Sequence, residues 1–213
     1  MMLPLNVMWD RGVSQEDANS ILEACVVFQR MFPGRKIRIV GNNKMYDWEE
    51  YSSADWFIMN GNLVNNPESL QLDSISLLEL IQNNPYLRRD PRIDVLFTSI
   101  DLGGGISWCF GRTSINGHCT VQSTARYQGL APADKNLAIK AVMFHELGHV
   151  FGMAADPRRS NTEENFGNHC TNPGCIMRQG VNIGQWLDNA HAARRYGRIY
   201  CPQCLTDAKR ITL

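Results

Sequence analysis

The sequence predicts an α+β fold, in which a mixed, twisted sheet packs against helices and the C-terminal part is small and irregular. Short apolar stretches of strand character alternate with longer amphipathic stretches of helical periodicity. The most apolar helical stretch, Ala138–Phe151, follows the last predicted strand. Beyond it the chain has few large apolar side chains. We therefore expect an upper subdomain over residues 1–152 and a lower one over 153–213.

The first half of the chain is predicted to alternate strands and helices. Ser14 is a good N-cap residue and the Pro-Gly pair after Phe32 breaks a helix, so a helix is expected between them. Alternation of polar and apolar residues indicates strands on both sides of this helix. The predicted elements are strands at Leu3–Met8, Arg35–Val40 and Asp55–Met59, helices at Gln15–Met31 and Leu72–Ile81, and a loop at Asn60–Asn66.

The second half is predicted to contain a buried strand, two further strands and a long helix. The apolar run Ile93–Ile100 is typical of a buried strand. Pro132 favours the first turn of a helix, and Asp134 is the expected N-cap of a helix over about residues 135–151. The other predictions are a turn at Gly103–Gly105, strands at Ile106–Gly111 and Cys119–Tyr127 around the Asn116-Gly117 loop, and a solvated surface loop at Asp156–Asn168.

Charge and hydropathy exclude several classes of partner. The 213 residues include 21 basic and 21 acidic residues, so the formal net charge is zero. This balance argues against a broad binding surface for nucleic acid or an anionic membrane. No stretch reaches the roughly 18 apolar residues of a membrane span, and the N-terminus lacks the pattern of a secretory signal. We expect a cytoplasmic protein without nucleic-acid or membrane partners.

The long predicted helix carries the sequence His-Glu-Leu-Gly-His at His145–His149. Two histidines four positions apart lie on one helical face, so both imidazoles can bind one zinc ion. Glu146 follows the first histidine and can act as a general base toward water. Gly152 stands where the helix should end, because glycine accepts the left-handed conformation of a C-terminal cap. The motif therefore predicts a catalytic zinc site.

The cysteine spacing predicts a second metal site. Cys170 and Cys175 form one closely spaced pair, and Cys201 and Cys204 form another. Two such pairs can supply the four thiolates of a structural zinc ion. The alternative is a pair of disulfides, which an oxidising compartment would favour. We predict a zinc site that stabilises the small lower subdomain.

Three cysteines remain outside this pattern. Cys25 lies in an apolar helical run and is predicted to be an ordinary core residue. Cys109 and Cys119 flank a predicted hairpin and could lie near each other. We favour free thiols there, with a disulfide as the alternative.

The combined motifs resemble those of the archaemetzincins. In that family a His-Glu-x-x-His-x-x-Gly helix is followed by a His-Cys pair, Cys-x-Met and Cys-x-x-Cys. Here these elements are the His145–Gly152 segment, His169 with Cys170, Cys175 with Met177, and Cys201 with Cys204. The resemblance spans roughly residues 93–204 and includes the strand stretches Val95–Leu102, Ser107–Gly111 and Val121–Tyr127. It implies a metzincin-like zinc metallopeptidase in which Met177 forms the Met-turn below the metal.

The third ligand of the catalytic zinc is the point where the sequence departs from the family. The resemblance implies a histidine ten positions after His145, where this chain has Ala155. About fourteen additional residues separate that position from His169. We assign His169 as the third ligand, with Asp156 or a non-protein group as alternatives. Neither His118 nor His191 has a partner at metal-ligand spacing, so both are interpreted as surface or structural histidines.

The expected activity is hydrolysis of peptide bonds in a peptide or protein substrate. Zinc held by His145, His149 and His169 would activate water, with Glu146 accepting its proton. A peptide would add to the sheet edge near Ile106–Gly111. Other metzincins carry a tyrosine two positions after the Met-turn, but this chain has Gln179 there, and Tyr196 and Tyr200 are weak candidates for that role. The alternative function is a catalytically weak or inactive zinc-binding scaffold that binds peptide or protein.

Overall fold

The structure is a computed structural model that describes residues 3–47, 49–65, 70–84, 89–104, 108–114, 118–155, 158–163 and 168–210. Its strands are β1 (Leu5–Trp9), β2 (Ile37–Gly41), β3 (Leu63–Asn65), β4 (Leu70–Asp73), β5 (Ile93–Thr98), β6 (Leu102–Gly103), β7 (Gly111–Thr113), β8 (Cys119–Ser123), β9 (Thr162–Glu163) and β10 (His169–Cys170). Its α-helices are α1 (Gln15–Met31), α2 (Ser53–Asn60), α3 (Ser74–Gln82), α4 (Pro132–Val150), α5 (Ile183–Arg195) and α6 (Pro202–Arg210). A 3₁₀ turn spans Ala125–Tyr127.

The central sheet has the strand order β2-β1-β5-β8-β7. Strands β1, β2, β5 and β8 run parallel, and β7 pairs antiparallel with β8 at one end of the sheet. A smaller sheet has the order β3-β4-β6, and β9 pairs antiparallel with β10. The predicted α+β class with a mixed sheet is confirmed.

Helices cover both faces of the central sheet because successive strand residues point to opposite sides. In β5, Val95 and Phe97 belong to the core cluster formed with α1 and α4. Leu96 lies between them in sequence and packs instead with residues of α2 and α3, including Phe57 and Leu77. The continuous apolar run of β5 reflects this burial on two sides.

Local signals correctly predicted the first helix. The Ser14 side chain caps α1 by accepting a hydrogen bond from the backbone N–H of Asp17 at 3.1 Å. The helix spans the predicted residues Gln15–Met31. Asp17 is buried and pairs with Lys135 of α4 at 2.7 Å, so an ion pair joins the two helices beneath the sheet.

The prediction of a strand at Asp55–Met59 is wrong, because these residues lie in helix α2. The helix starts after Ser52, whose side chain accepts a hydrogen bond from the N–H of Asp55 at 3.1 Å. Phe57 is buried on the face that packs toward the sheet, whereas Trp56 and Met59 are exposed. The apolar residues therefore follow helical and not strand periodicity.

Two neighbouring predictions need correction. The segment Asn60–Asn66, predicted to be a loop, contains the short strand β3. The helix predicted from Leu72 begins at Ser74, because Asp73 caps it by accepting a hydrogen bond from the N–H of Ile75 at 3.0 Å. The residues before this cap form β4, which pairs with β6.

Three boundaries near the long helix also differ from prediction. Asp134 is not the N-cap of α4; the capping position is Ala131, and Asp134 lies in the first turn behind Pro132. The strand expected over Cys119–Tyr127 ends at Ser123 and is followed by the 3₁₀ turn. Part of the turn predicted at Gly103–Gly105 belongs to β6. The strand predicted at Ile106–Gly111 and the Asn116-Gly117 loop fall partly or wholly outside the described residues.

Within the described residues, no helix combines the length and the apolar character that a membrane span requires.

Candidate metal centre

Helix α4 places the His-Glu-Leu-Gly-His motif in the interior. His145 and Glu146 are 2% and 6% exposed. The helix ends at Val150, and Gly152, just beyond the C-cap residue Phe151, has a φ of +66°. There the N–H of Gly152 bonds the carbonyl of His149, and the N–H of Met153 bonds that of Gly148. The glycine cap predicted from the sequence is therefore present, and it turns the chain away just below the histidines.

The imidazole groups of three histidines lie close together. Ligand atoms of His145, His149 and His169 all lie within 4.8 Å of one another. The Nε2 atoms of His145 and His149 are 3.1 Å apart. His169 comes from β10, whose pairing with β9 brings it beside the helix. Three imidazoles match the protein ligand set of a catalytic zinc site, in which water occupies the fourth position.

The ring nitrogen of His145 that faces away from the cluster is fixed by the backbone. Nδ1 of His145 lies 2.9 Å from the carbonyl oxygen of Ile176. Because a carbonyl can only accept, Nδ1 carries the proton and Nε2 keeps its lone pair for a metal. Burial lowers the pKa of His145 well below its usual value, and that of His149 to about 3. Both rings are thus neutral, as metal ligation requires.

Glu146 lies against the edge strand β7. The Thr113 hydroxyl donates a hydrogen bond to Oε2 of Glu146 at 2.6 Å. Burial raises the pKa of Glu146 to about 7, although the Thr113 bond and the charge of Arg112 act in the opposite direction. A Cβ on Gly111 would lie 2.9 Å from Cγ of Glu146, so glycine permits this close approach. A carboxyl group with a pKa near neutrality suits a general base.

Met177 lies directly beneath the motif helix. A Cβ on Gly148 would lie 2.0 Å from Sδ of Met177, so the two residues are in intimate contact. The N–H of Cys170 also bonds the carbonyl of Met177 at 2.9 Å. Trp186 of α5 packs edge-on against His145, with ring centroids 4.7 Å apart. Together these contacts form the floor of the histidine cluster.

The four cysteines of the second motif form a separate cluster. Their sulfur atoms all lie within 4.8 Å of one another, and all four residues are buried. The sulfurs of Cys170 and Cys201 are 3.8 Å apart, and those of Cys175 and Cys204 are 3.7 Å apart. A tetrahedron with zinc–sulfur bonds of about 2.3 Å has edges of about 3.8 Å. The donor set therefore fits a zinc ion, and the cysteines are free thiols.

Known proteins resemble this chain in sequence and in fold. Residues 105–208 match the family model of the Reprolysin (M12B) zinc metalloproteases. The crystal structure of archaemetzincin from Methanopyrus kandleri superposes with a TM-score of 0.65 at 16% identity, covering 98% of this chain and 94% of that chain. The chain has an archaemetzincin-like fold.

A second archaemetzincin structure, from Archaeoglobus fulgidus in complex with malonate, superposes with a TM-score of 0.59 at 14% identity. It covers 96% of this chain and 99% of that chain. A comparison with curated proteins found no match. The family match and the cluster of histidines together support a zinc metallopeptidase, for which peptides or proteins are the implied substrates.

The segment that separates this archaemetzincin-like chain from the family pattern is only partly described. Asp156, the alternative third ligand, lies outside the described residues. Arg158 contradicts the prediction of a solvated loop at Asp156–Asn168, because its side chain is 1% exposed and pairs with Asp207. The sequence alone indicates no such burial, since the polar partners of Arg158 come from helix α6 and the cysteine cluster.

The remaining tyrosine, cysteine and histidine candidates differ in burial. Tyr200 is buried and donates its hydroxyl to the carbonyl of Phe144 at 2.7 Å, whereas Tyr196 is 56% exposed. Cys109 and Cys119 are free thiols, as favoured from the sequence, and Cys25 is buried in the core. His118 and His191 are exposed.

Sequence reasoning missed several residues around the histidine cluster. Thr113 and Gly111 contact Glu146, Trp186 packs on His145, and the Ile176 carbonyl orients the same ring. No motif marks these residues, because their roles follow from the packing of α4 against β7 and the C-terminal segment.

Proposed function

We propose that the chain hydrolyses peptide bonds with water, using Glu146 as the general base next to a zinc ion held by His145, His149 and His169. The observation that carries this proposal is the position of Glu146. Its carboxyl group, on the residue that follows His145, is buried, accepts a hydrogen bond from Thr113, and has a pKa raised to about 7. A metal site with a purely structural role has no need of such a group.

When bound, zinc supplies Lewis acidity, which lowers the pKa of water and polarises the substrate carbonyl. Glu146 accepts the proton that water loses as it attacks that carbonyl. The protonated carboxyl group then donates to the leaving amine when the peptide bond breaks. Thr113 holds one carboxylate oxygen, which leaves the other oxygen available for proton transfer. His145, oriented by the Ile176 carbonyl, presents Nε2 to the metal.

Strand β7 offers a place for the substrate. It stands at the end of the strand order of the central sheet, and Thr113 at its end contacts Glu146. An extended peptide that paired with this edge would run past the general base. In this proposal residues 1–152 form the upper side of the cleft, and residues 153–213 the lower side with Met177 in the floor.

The cysteine cluster is proposed to hold a second, structural zinc ion. Cys170, Cys175, Cys201 and Cys204 have sulfur separations that suit a closed tetrahedral site. Because Cys170 is adjacent to His169, this second ion would fix the position of the third imidazole. The protein would then bind two zinc ions with different functions.

The variant Glu146→Gln tests the proposed reaction. It should retain both zinc ions by metal analysis and lose peptide cleavage, because an amide cannot accept the proton. Glu79→Gln, at an exposed position of α3, is the matched control and should cleave at the wild-type rate. Cleavage by Glu146→Gln at the wild-type rate would refute the mechanism. Zinc-loaded wild type that binds peptides without cleaving them would instead favour the scaffold function.

A further inference from the structure

The guanidinium group of Arg158 makes hydrogen bonds to the cysteine cluster. The side chain is only 1% exposed, so its donors need acceptors within the protein. All five N–H donors of the guanidinium group have one. The acceptors are the carbonyl oxygens of Ser160 (2.9 Å) and Asn161 (2.8 Å), Oδ2 of Asp207 (3.2 Å), and the sulfurs of Cys170 and Cys204 (3.1 Å each).

The two sulfur contacts link the two halves of the cysteine motif. Cys170 belongs to the first cysteine pair and Cys204 to the second. The planar guanidinium group reaches both sulfurs through different nitrogen atoms, Nη2 and Nη1. A lysine ammonium group is a point charge and cannot reproduce this forked geometry.

Asp207 orients the guanidinium group from the side of helix α6. Its carboxylate accepts from Nη1 of Arg158 and from the backbone N–H of Ala154, both at 3.2 Å. Groups that hydrogen-bond to metal ligands orient those ligands, and their loss weakens metal binding. Here the oriented donor is Arg158 and the ligands are cysteine sulfurs.

We propose that Arg158 is a positioning residue of the cysteine zinc site, which it serves by donating hydrogen bonds to two of the four ligand sulfurs. Four zinc-bound thiolates carry a net charge of minus two in a buried environment, so donors to the sulfurs stabilise the loaded site. The inserted segment before His169 is thereby tied to the metal, because Arg158 also bonds the carbonyls of Ser160 and Asn161. The inference rests on the second zinc ion of the proposed function but not on peptide hydrolysis.

Cobalt substitution of the full-length protein gives a direct readout. Cobalt bound by thiolates produces sulfur-to-metal charge-transfer absorption, whereas the histidine site has no thiolate. Competition with a chelator, followed in this band, measures the affinity of the cysteine site. Arg158→Met should lower that affinity by about 10- to 100-fold and shift the band, because two sulfurs lose their donors. Arg195→Met, at an exposed position of α5, is the matched control and should match wild type.

Two further variants separate positioning of the sulfurs from a general structural role. Arg158→Lys keeps one positive charge and should restore part of the affinity lost in Arg158→Met. Asp207→Asn leaves the sulfur donors in place and should shift the band less than Arg158→Met does. If Arg158→Met fails to fold, Arg158→Lys is compared with wild type instead. Lysine lacks the forked guanidinium group, so its cobalt affinity should still be lower than that of wild type and its charge-transfer band should still be shifted.

The outcomes distinguish this inference from the proposed reaction. Wild-type affinity and an unchanged band in both Arg158 variants would overturn the role of Arg158. Wild type without any thiolate charge-transfer band would overturn the second zinc site and this inference together. Absence of peptide cleavage in wild type would refute the reaction but would leave the cobalt measurement in place.

Discussion

The Thr113 hydroxyl donates to Oε2 of Glu146 across 2.6 Å, which joins the edge strand β7 to the motif helix α4. This bond holds one oxygen of a buried carboxyl group, and it favours the ionised form of that group. The same strand supplies Gly111, whose missing Cβ allows the carboxylate to lie against the backbone. The candidate base is therefore positioned by the strand along which we expect the substrate to bind.

Replacement of Thr113 by valine should slow peptide hydrolysis. Valine keeps the shape but removes the donor, so the orientation of Glu146 becomes less restricted. We expect kcat/KM to fall about tenfold, equivalent to about 1.4 kcal/mol, which is close to the lower end of the range for a hydrogen bond to a charged group. Because the lost bond lowered the pKa of Glu146, that pKa should rise. Activity should then begin to fall at a higher pH on the acidic side of the pH profile.

Thr113→Ser is the control for this prediction. Serine retains the hydroxyl donor, so its kcat/KM and its acidic limb should stay closer to those of wild type. An acidic limb that stays unchanged in Thr113→Val would contradict a role of Thr113 in setting the protonation of Glu146.

Gly148→Ala should destabilise the protein through Met177. The added Cβ would lie 2.0 Å from Sδ of Met177, so the methionine must leave its position under the histidines. Overpacking of this kind costs about 1–3 kcal/mol of the free energy of unfolding. The double variant Gly148→Ala, Met177→Ala should lose less stability than the sum of the single variants, because truncation removes the clash.

Urea unfolding of the metal-loaded protein measures this coupling. Gly184→Ala in helix α5 is the control, since its added Cβ would only approach Oδ1 of Asn182 at 3.3 Å. It should cost less stability than Gly148→Ala, whose Cβ approaches its neighbour much more closely. Strict additivity of the Gly148 and Met177 changes would show that the two residues do not press on each other.

Two lysines of helix α4 provide a matched test of ion-pair burial. Lys135 pairs with Asp17 at 2.7 Å, and both side chains are buried. Lys140 pairs with Glu23 of the same helix α1, but the Glu23 side chain is 59% exposed. Lys135→Met leaves a buried carboxylate without its partner and should cost about 3–5 kcal/mol. Lys140→Met should cost less than about 1 kcal/mol, because water solvates Glu23.

Thermal or urea unfolding of both variants checks this contrast. Adding Asp17→Asn to Lys135→Met should recover part of the loss, since the uncompensated charge is then gone. If Lys135→Met and Lys140→Met lose equal free energies of unfolding, burial does not determine how much these ion pairs contribute to stability.

Elements with strong local signals were predictable from the sequence. Helix α1 has a capping serine before it and a Pro-Gly break after it, and its predicted bounds agree with the structure. Strand β5 is a continuous apolar run, and it lies in the centre of the sheet. The glycine that ends α4 was also predicted, because only the left-handed conformation lets the chain turn there.

Features with an ambiguous local pattern, or with partners far away in the sequence, were missed. Asp55–Met59 has an ambiguous short apolar pattern, and the Ser52 cap decides in favour of helix. Arg158 lies in a polar segment whose composition is typical of a surface loop. Its burial depends on Cys170, Cys204 and Asp207, which only the fold brings together. The contact of Thr113 with Glu146 likewise needs the packing of β7 on α4.

Metal content tests the assignment of the third ligand. Wild type should contain two zinc ions, and His169→Ala should retain only one, because two imidazoles alone bind catalytic zinc weakly. Asp156→Ala should retain both ions, since the imidazole of His169 already completes the cluster within 4.8 Å. The exposed His191 serves as the control, and His191→Ala should also retain both. Loss of one ion in Asp156→Ala but not in His169→Ala would transfer the assignment to Asp156, and His169 would then be a neighbour of the metal site and not a ligand.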